Sequence, residues 1–346
     1  MEYSEETEYL CVDDFMRGVV EARALQTAFE TGLVDYLIED GPGTQAEVER
    51  RIGVDAAGAR MLLGLLRSNG VIQERGGRIG LAAPFVKALR YRDLLQTKLE
   101  FTQLLLPDFT DLFTALIAEP ARFYRASRTF DLFSYSRALE YSPENDEMTR
   151  RWVRFTTCLT RYEAASCVNH YDFSKHRRML DIGGNSGEFA LQVCRRHTAM
   201  RASVLDLPLV CDIGREHVAG ASEAERIDFI RGDALAGPLP GGFDLISFKS
   251  MLHDWPEKEA SLLVAKASRA LEPGGTLLIF ERGRAAGLVQ TDYCAVPMLL
   301  FFRYFRDAEF YERLLSGLGL VDVLTREIRL DVPFCLITAK KGAEGR

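Results

Sequence analysis

His253 follows the apolar run that ends at Lys249, and Glu281 ends the next such run; histidine is the side chain whose charge changes near neutral pH. An unperturbed imidazole titrates at about 6.5, so a neutral ring can take a proton, and a carboxylate beside it can orient the ring and stabilise the imidazolium. Three acids and a lysine end apolar runs upstream: Asp181 in MLDIGG, Asp206 in LDLP, Asp233 in RGDAL and Lys249 in SFKS. Gly183, Gly184 and Gly187 follow Asp181 in MLDIGGNSGE, ahead of a helical pattern carrying Phe189, Leu191, Val193 and Cys194. Glycines directly after a strand let backbone N–H groups approach a ligand, and the next helix adds its positive N-terminal end. Asp206 is placed to accept ribose hydroxyls, and Asp233 to bond an adenine amino group. The dinucleotide fingerprint G-x-G-x-x-G, started at Gly183, would need glycine at Asn185 and Glu188, so a nicotinamide or flavin dinucleotide is not expected.

The elements that must position these groups alternate as βαβα units do. Strands are expected at 178–182, 202–206, 227–231, 243–249 and 275–281, with helices at 187–197, 208–219 and 256–271. A helix at 307–318 and two strands, 320–328 and 333–339, follow as a terminal hairpin. The fold class is therefore α/β: a mostly parallel, Rossmann-like sheet with an antiparallel edge, whose strand ends converge on one crevice. The loop 171–178 is the expected domain boundary, separating residues 1–170 from 171–346.

The N-terminal part reads as mostly helical. Asp13 and Asp14 are expected to cap a helix through Phe15, Val19, Ala22, Phe29, Leu33 and Leu37, stopping near Gly41-Pro42-Gly43. Thr44, with Glu47 three residues on, signals a capping box for a helix to Ile52. A second helix, Asp55 to Ser68, turns Met61, Leu62, Leu65 and Leu66 inward. A hairpin of 71–74 and 78–81 completes a winged-helix pattern. Its second helix offers Arg60 and Arg67 against Asp55, with Glu47 and Glu49 on the helix before, which is not the basic face of a DNA reader. A long helix from Glu144 to Asn169 carries Trp152, Phe155, Leu159 and Tyr162 near one face.

Composition excludes several classes. A net charge of −7 argues against a nucleic-acid partner held through phosphates. No apolar run has the length of a membrane span, and MEYSEETEYL lacks a signal-peptide layout. Seven scattered cysteines without CxxC suit a reducing cytoplasm. The five histidines show no metal-ligand spacing with them, so no metal is assigned.

The segment FKSMLHDWPEKEASLLVAKASRALEPGGTLLIFE, from Phe248 to Glu281, with D-x-G-x-x-x-G from Asp181, resembles the small-molecule O-methyltransferases typified by caffeic acid and hydroxyindole O-methyltransferases. Those enzymes also carry an N-terminal winged-helix dimerisation domain, so the resemblance covers almost the whole chain. It implies S-adenosylmethionine as cofactor, a small and aromatic hydroxylated substrate, and a homodimer formed through the N-terminal domain. By position, Gly183, Asp206, Asp233 and Lys249 match cofactor contacts, and Asp181, Gly184, Gly187, Leu207, Ala234 and Phe248 are grouped with them. His253 matches the general base and Glu281 an acid flanking it. Phe155, Leu159, Tyr162, Asp254, Met298, Phe302 and Arg303 are the expected substrate-lining residues.

Two departures stand out. The family's middle glycine is Asn185, the non-glycine type that best tolerates a left-handed backbone. The family's second glutamate beside the histidine is missing: MLLFFRYFRDAEF puts Tyr304, Phe305 or Arg306 near its place, and Arg303 and Arg306 are candidates either to meet an anionic group on the substrate or to lie on the surface. Carbon methylation, hydroxylation or pericyclic chemistry on the same scaffold, and a ligand-sensing winged-helix regulator, are the competing readings.

Overall fold

The computed structural model describes residues 4–283 and 293–343. Contacts gather the chain into two compact units, one ending at Arg128 and taking back the segment that ends at Leu299, the other starting at Thr129 and resuming at Leu300.

In the first unit a 3-10 segment, Glu5–Phe15, precedes α1 (Val19–Glu30), α2 (Leu33–Glu39), α3 (Gln45–Ile52) and α4 (Ala56–Ser68). The hairpin β1 (Ile72–Arg75) and β2 (Arg78–Leu81) follows, then α5 (Ala83–Ala88), α6 (Arg92–Ala118) and α7 (Pro120–Ala126). The capping box forms as the Thr44–Glu47 spacing predicts: Thr44 Oγ1 accepts from Glu47 N at 3.3 Å, and Glu47 Oε2 accepts from Thr44 N at 2.7 Å. Asp13 and Asp14 do not cap the first helix. Lys98 Nζ claims both Asp13 oxygens, at 2.7 and 2.9 Å, and Arg17 holds Asp14. The α1 N-terminus is instead closed by Glu21, whose carboxylate accepts from Gly18 N at 3.1 Å. The expected single helix is broken at Gly32, which takes φ +73°. On α4 the inward face is Ala59, Leu62, Leu63 and Leu66, an i, i+3, i+4, i+7 row; Met61 falls off it and is 71% exposed.

The chain continues through α8 (Arg128–Leu132), α9 (Pro143–His170), β3 (Arg178–Ile182), α10 (Glu188–Arg196), β4 (Arg201–Asp206), α11 (Pro208–Val218) and β5 (Ile227–Arg231). It ends with β6 (Phe243–Lys249), α12 (Glu257–Ala270), β7 (Leu271–Arg282), α13 (Val296–Phe301), α14 (Ala308–Gly317), β8 (Val321–Arg329) and β9 (Pro333–Lys340). The sheet order is β5-β4-β3-β6-β7-β9-β8, parallel as far as β7 and antiparallel at β9 and β8. Strand order reverses about β3, which opens a crevice at the carboxyl ends of β3 and β6.

Alternate side chains fill two cores. Met179, Leu245, Leu278 and Phe280 pack with Phe189 and Val193 of α10, whereas Leu180, Ile246, Leu277 and Ile279 pack with Leu263 of α12 and Leu315 of α14. Burial on both faces explains the near-continuous apolar runs of these strands. Ala164 and Cys167 of α9 lie in the first of these cores, so α9 goes with the sheet and the unit boundary falls at 128/129 rather than at 170/171.

Candidate active site

The glycine turn is shaped by backbone geometry. Gly183 takes φ +65° and donates its N–H to Leu205 O at 2.8 Å, tying the turn to β4. Asn185 adopts φ +57°, the left-handed conformation that its residue type tolerates, and its Oδ1 accepts from Ser186 N at 2.7 Å. Asn185 N donates to Asp206 Oδ2 at 2.7 Å, and Leu207 N donates to Asp206 Oδ1 at 2.7 Å. Each carboxylate oxygen keeps acceptor capacity beyond those bonds, as a ribose-binding acid requires.

Beneath the turn, Asp181 is 1% exposed. Ser247 Oγ donates to Asp181 Oδ1 at 2.6 Å, while Oδ2 is buried without a hydrogen-bond partner. Burial pushes the Asp181 carboxyl up to about 7 and the Asp206 carboxyl up to about 6. A Cβ on Gly184 would lie 2.5 Å from Asp181 Oδ2 and 2.9 Å from Val204 Cγ1, so the residue is kept bare by close approach. Gly184→Ala is expected to cost about 1–3 kcal/mol of stability, read as a lowered midpoint in thermal unfolding. A wild-type midpoint would show that the turn can shift to make room. An orphaned buried carboxylate oxygen, a glycine turn and an acid with spare acceptor capacity together fit a cationic ligand bearing ribose hydroxyls.

On the next strand end, Asp233 Oδ1 accepts from Leu235 N at 2.8 Å, and Lys266 Nζ donates to the carbonyls of Ala234 and Leu235. Ala234 and Phe248 are buried. The Lys249 ammonium donates to Glu163 of α9 and to Thr160 Oγ1, the latter at 3.0 Å, and the residue stands at the end of β6.

The contact between His253 and Glu281 is well defined. Glu281 Oε2 lies 2.7 Å from His253 Nδ1, while Oε1 accepts from Met251 N at 2.6 Å and Leu252 N at 2.7 Å. Facing an ionised carboxylate, Nδ1 carries the proton, which leaves Nε2 as the acceptor of a neutral ring. Nε2 lies 3.5 Å from Asp254 Oδ1, and Tyr135 OH donates to Asp254 Oδ2 at 2.8 Å. Burial opposes a charged His253, but Glu281 and Asp254 outweigh it and raise the imidazole above its ordinary value. Glu281 is held below the usual range despite its burial, by His253 and the two amides; burial raises Asp254.

Where the resemblance expects a second carboxylate, Phe305 presents its ring to His253 edge-on, with centroids 5.6 Å apart. Arg306 is buried and donates to the carbonyls of Leu252, at 3.0 Å, and Trp255. It therefore braces the His253 loop; the expectation that it meets a substrate anion is corrected. Arg303 is exposed, with its guanidinium over the Phe302 ring at 5.0 Å. Phe155 is 1% exposed and is a packing residue, whereas Leu159, Tyr162, Met298 and Phe302 are half-buried. Met298 belongs to the first compact unit and the others to the second. Sequence reasoning missed Glu163, Tyr135 and the bracing role of Arg306. Glu163 alone left a signal: an acid beside the apolar core positions of α9, where a charge must find partners.

A glycine turn follows β3 at the switch point of an open sheet, and His253 follows β6, the neighbouring strand, the layout of an α/β enzyme acting on small molecules. Residues 114–320, more than half of the chain, match the O-methyltransferase domain family, and the chain belongs to that family. Over 281 residues it is 30% identical to the 3-hydroxy-5-methyl-1-naphthoate 3-O-methyltransferase of Streptomyces sahachiroi, covering 78% of this chain and 75% of that one. It is 25% identical over 288 residues to human acetylserotonin O-methyltransferase, covering 80% and 81% of the two chains. The crystal structure of human N-acetylserotonin methyltransferase in complex with S-adenosylmethionine superposes with a TM-score of 0.73 at 22% identity, covering 99% of this chain and all of that one.

Proposed function

We propose that this protein transfers a methyl group from S-adenosylmethionine to a hydroxyl on a small aromatic metabolite, with His253 as general base. The observation that carries this reading is the His253–Glu281 pair, locked by two backbone amides so that Nε2 is the accepting atom. The cofactor supplies a methyl group on a sulfonium. Asp206 and Asp233 would hold its ribose and adenine, and Asp181 Oδ2 would face its cationic portion. A phenol titrates at about 10, so the acceptor oxygen is a poor nucleophile until His253 takes its proton. Glu281 stabilises the resulting imidazolium, and alignment of oxygen, methyl and sulfur supplies much of the remaining acceleration. The activity of the naphthoate relative supports an aromatic, hydroxylated acceptor.

Incubation with S-adenosylmethionine and a panel of hydroxynaphthoates and other phenols should yield products heavier by one CH₂, attached at oxygen. Attachment at carbon, or a gain of oxygen, would replace this reading with that of a repurposed family member, for which Phe305 in place of a carboxylate is the motivating observation. We assign a winged-helix dimerisation role, in the cytoplasm, to the N-terminal unit that ends at Arg128; a solution mass of one chain would refute the dimer. Among the described residues no helix is long and apolar enough to cross a membrane. Arg67 on α4 is engaged by Glu74 at 2.6 Å, which fits a structural rather than a DNA-reading helix.

A further inference from the structure

Glu163 is 2% exposed on α9 and takes hydrogen bonds from two cations at once. Lys249 Nζ donates to Oε2 and Arg282 to Oε1. These cations end different strands. Lys249 closes β6, just before the Met251–His253 loop, and Arg282 closes β7, directly after Glu281. One buried carboxylate thus fastens both strand ends that carry the base and its orienting acid.

The surroundings of the cluster are polar and specific. Lys249 also meets Thr160 Oγ1 at 3.0 Å, and it acts electrostatically on Asp181 and Cys167. The Arg282 guanidinium stacks over the Phe334 ring at 4.8 Å and senses Glu163, Asp331, Glu281 and Asp254. The charged groups that act on His253 are Glu281, Asp254 and Arg282. Glu281 and Arg282 are successive residues of β7, so their side chains leave opposite faces of the sheet, and Glu163 holds the Arg282 guanidinium on the α9 side.

We propose that Glu163 is a positioning residue for the His253–Glu281 pair, holding the ends of β6 and β7 together and offsetting the buried Lys249 and Arg282 charges. This rests on the general-base reading above. Without the Glu163 charge, two buried cations lose their shared acid, and the Arg282 charge that already disfavours the His253 imidazolium is no longer offset. The potential at His253 becomes more positive, so the imidazolium is disfavoured and the ring loses its proton at lower pH.

Glu163→Gln should lower kcat about tenfold while the KM for S-adenosylmethionine stays within about twofold. The acid limb of kcat/KM for the acceptor should move to lower pH by about half a unit to one unit. NMR titration of the His253 ring in the same protein should move with it. A limb and ring titration identical to wild type, with only thermal stability reduced, would reduce Glu163 to a structural role and overturn the proposal. Because removing one member of a buried ionic cluster can prevent folding, Glu163→Asp provides a second arm. It keeps the charge but is too short to reach both cations. Its kcat should fall severalfold at unchanged cofactor KM; a wild-type kcat would overturn the positioning role. The ring titration does not depend on turnover. If His253→Ala leaves the wild-type acid limb in place, the general-base reading fails, while the NMR comparison still judges Glu163.

Discussion

His253→Ala is expected to lower kcat for methyl transfer by about 10²- to 10⁴-fold with saturating cofactor, the usual contribution of a positioned general base. The variant keeps the glycine turn, Asp206 and Asp233, so cofactor affinity measured by calorimetry should stay near wild type. Near-normal turnover would show that the acceptor loses its proton to another group, or to water. The pH dependence gives a second reading of the same residue. A base must be neutral to act, and Glu281 and Asp254 hold the His253 imidazole above its ordinary value of about 6.5. Wild-type kcat/KM should therefore rise with pH along a limb centred above 6.5, and His253→Ala should abolish that limb. A flat profile between pH 6 and 8 would contradict the assignment.

Asp206→Ala should weaken S-adenosylmethionine binding by tenfold or more, at ~1.4 kcal/mol per tenfold. Two losses combine in that variant. The ribose loses its acceptor, and the N–H groups of Asn185 and Leu207 lose the carboxylate that fixes the left-handed turn. Calorimetric titration with the cofactor distinguishes the outcomes, and an unchanged affinity would remove Asp206 from the pocket. The effect should fall on cofactor affinity, since no hydrogen bond links Asp206 to the His253–Glu281 pair among the described residues.

The parts of the site legible from sequence are those built by one short segment each. Asp181, Asp206 and Asp233 follow apolar strands directly, and the glycines follow Asp181, so strand, turn and acid are written within ten residues. The left-handed Asn185 could be foreseen because only a few residue types adopt that backbone at low cost. What remained hidden depends on elements distant in sequence. Lys249 is a strand-end cation like any other until α9 brings Glu163 against it. Tyr135 reaches Asp254 across a long stretch of chain, and no local pattern marks that meeting. Arg306 looked like an anion receptor because its charge is visible in the sequence, whereas the two carbonyls it satisfies are not. The same blindness misassigned Asp13, a sound capping residue by type that is claimed by Lys98 from the helix α6.

The carboxyl beneath the glycine turn has a consequence for how the enzyme is loaded. Burial, with one oxygen unanswered, pushes the Asp181 carboxyl up to about 7. If the cofactor's cationic portion lies near that carboxyl, as proposed above, it favours the ionised form, and filling the pocket near neutrality would expel a proton. Loading would then exchange one positive charge for another, and a more alkaline medium would shift that exchange toward the filled enzyme.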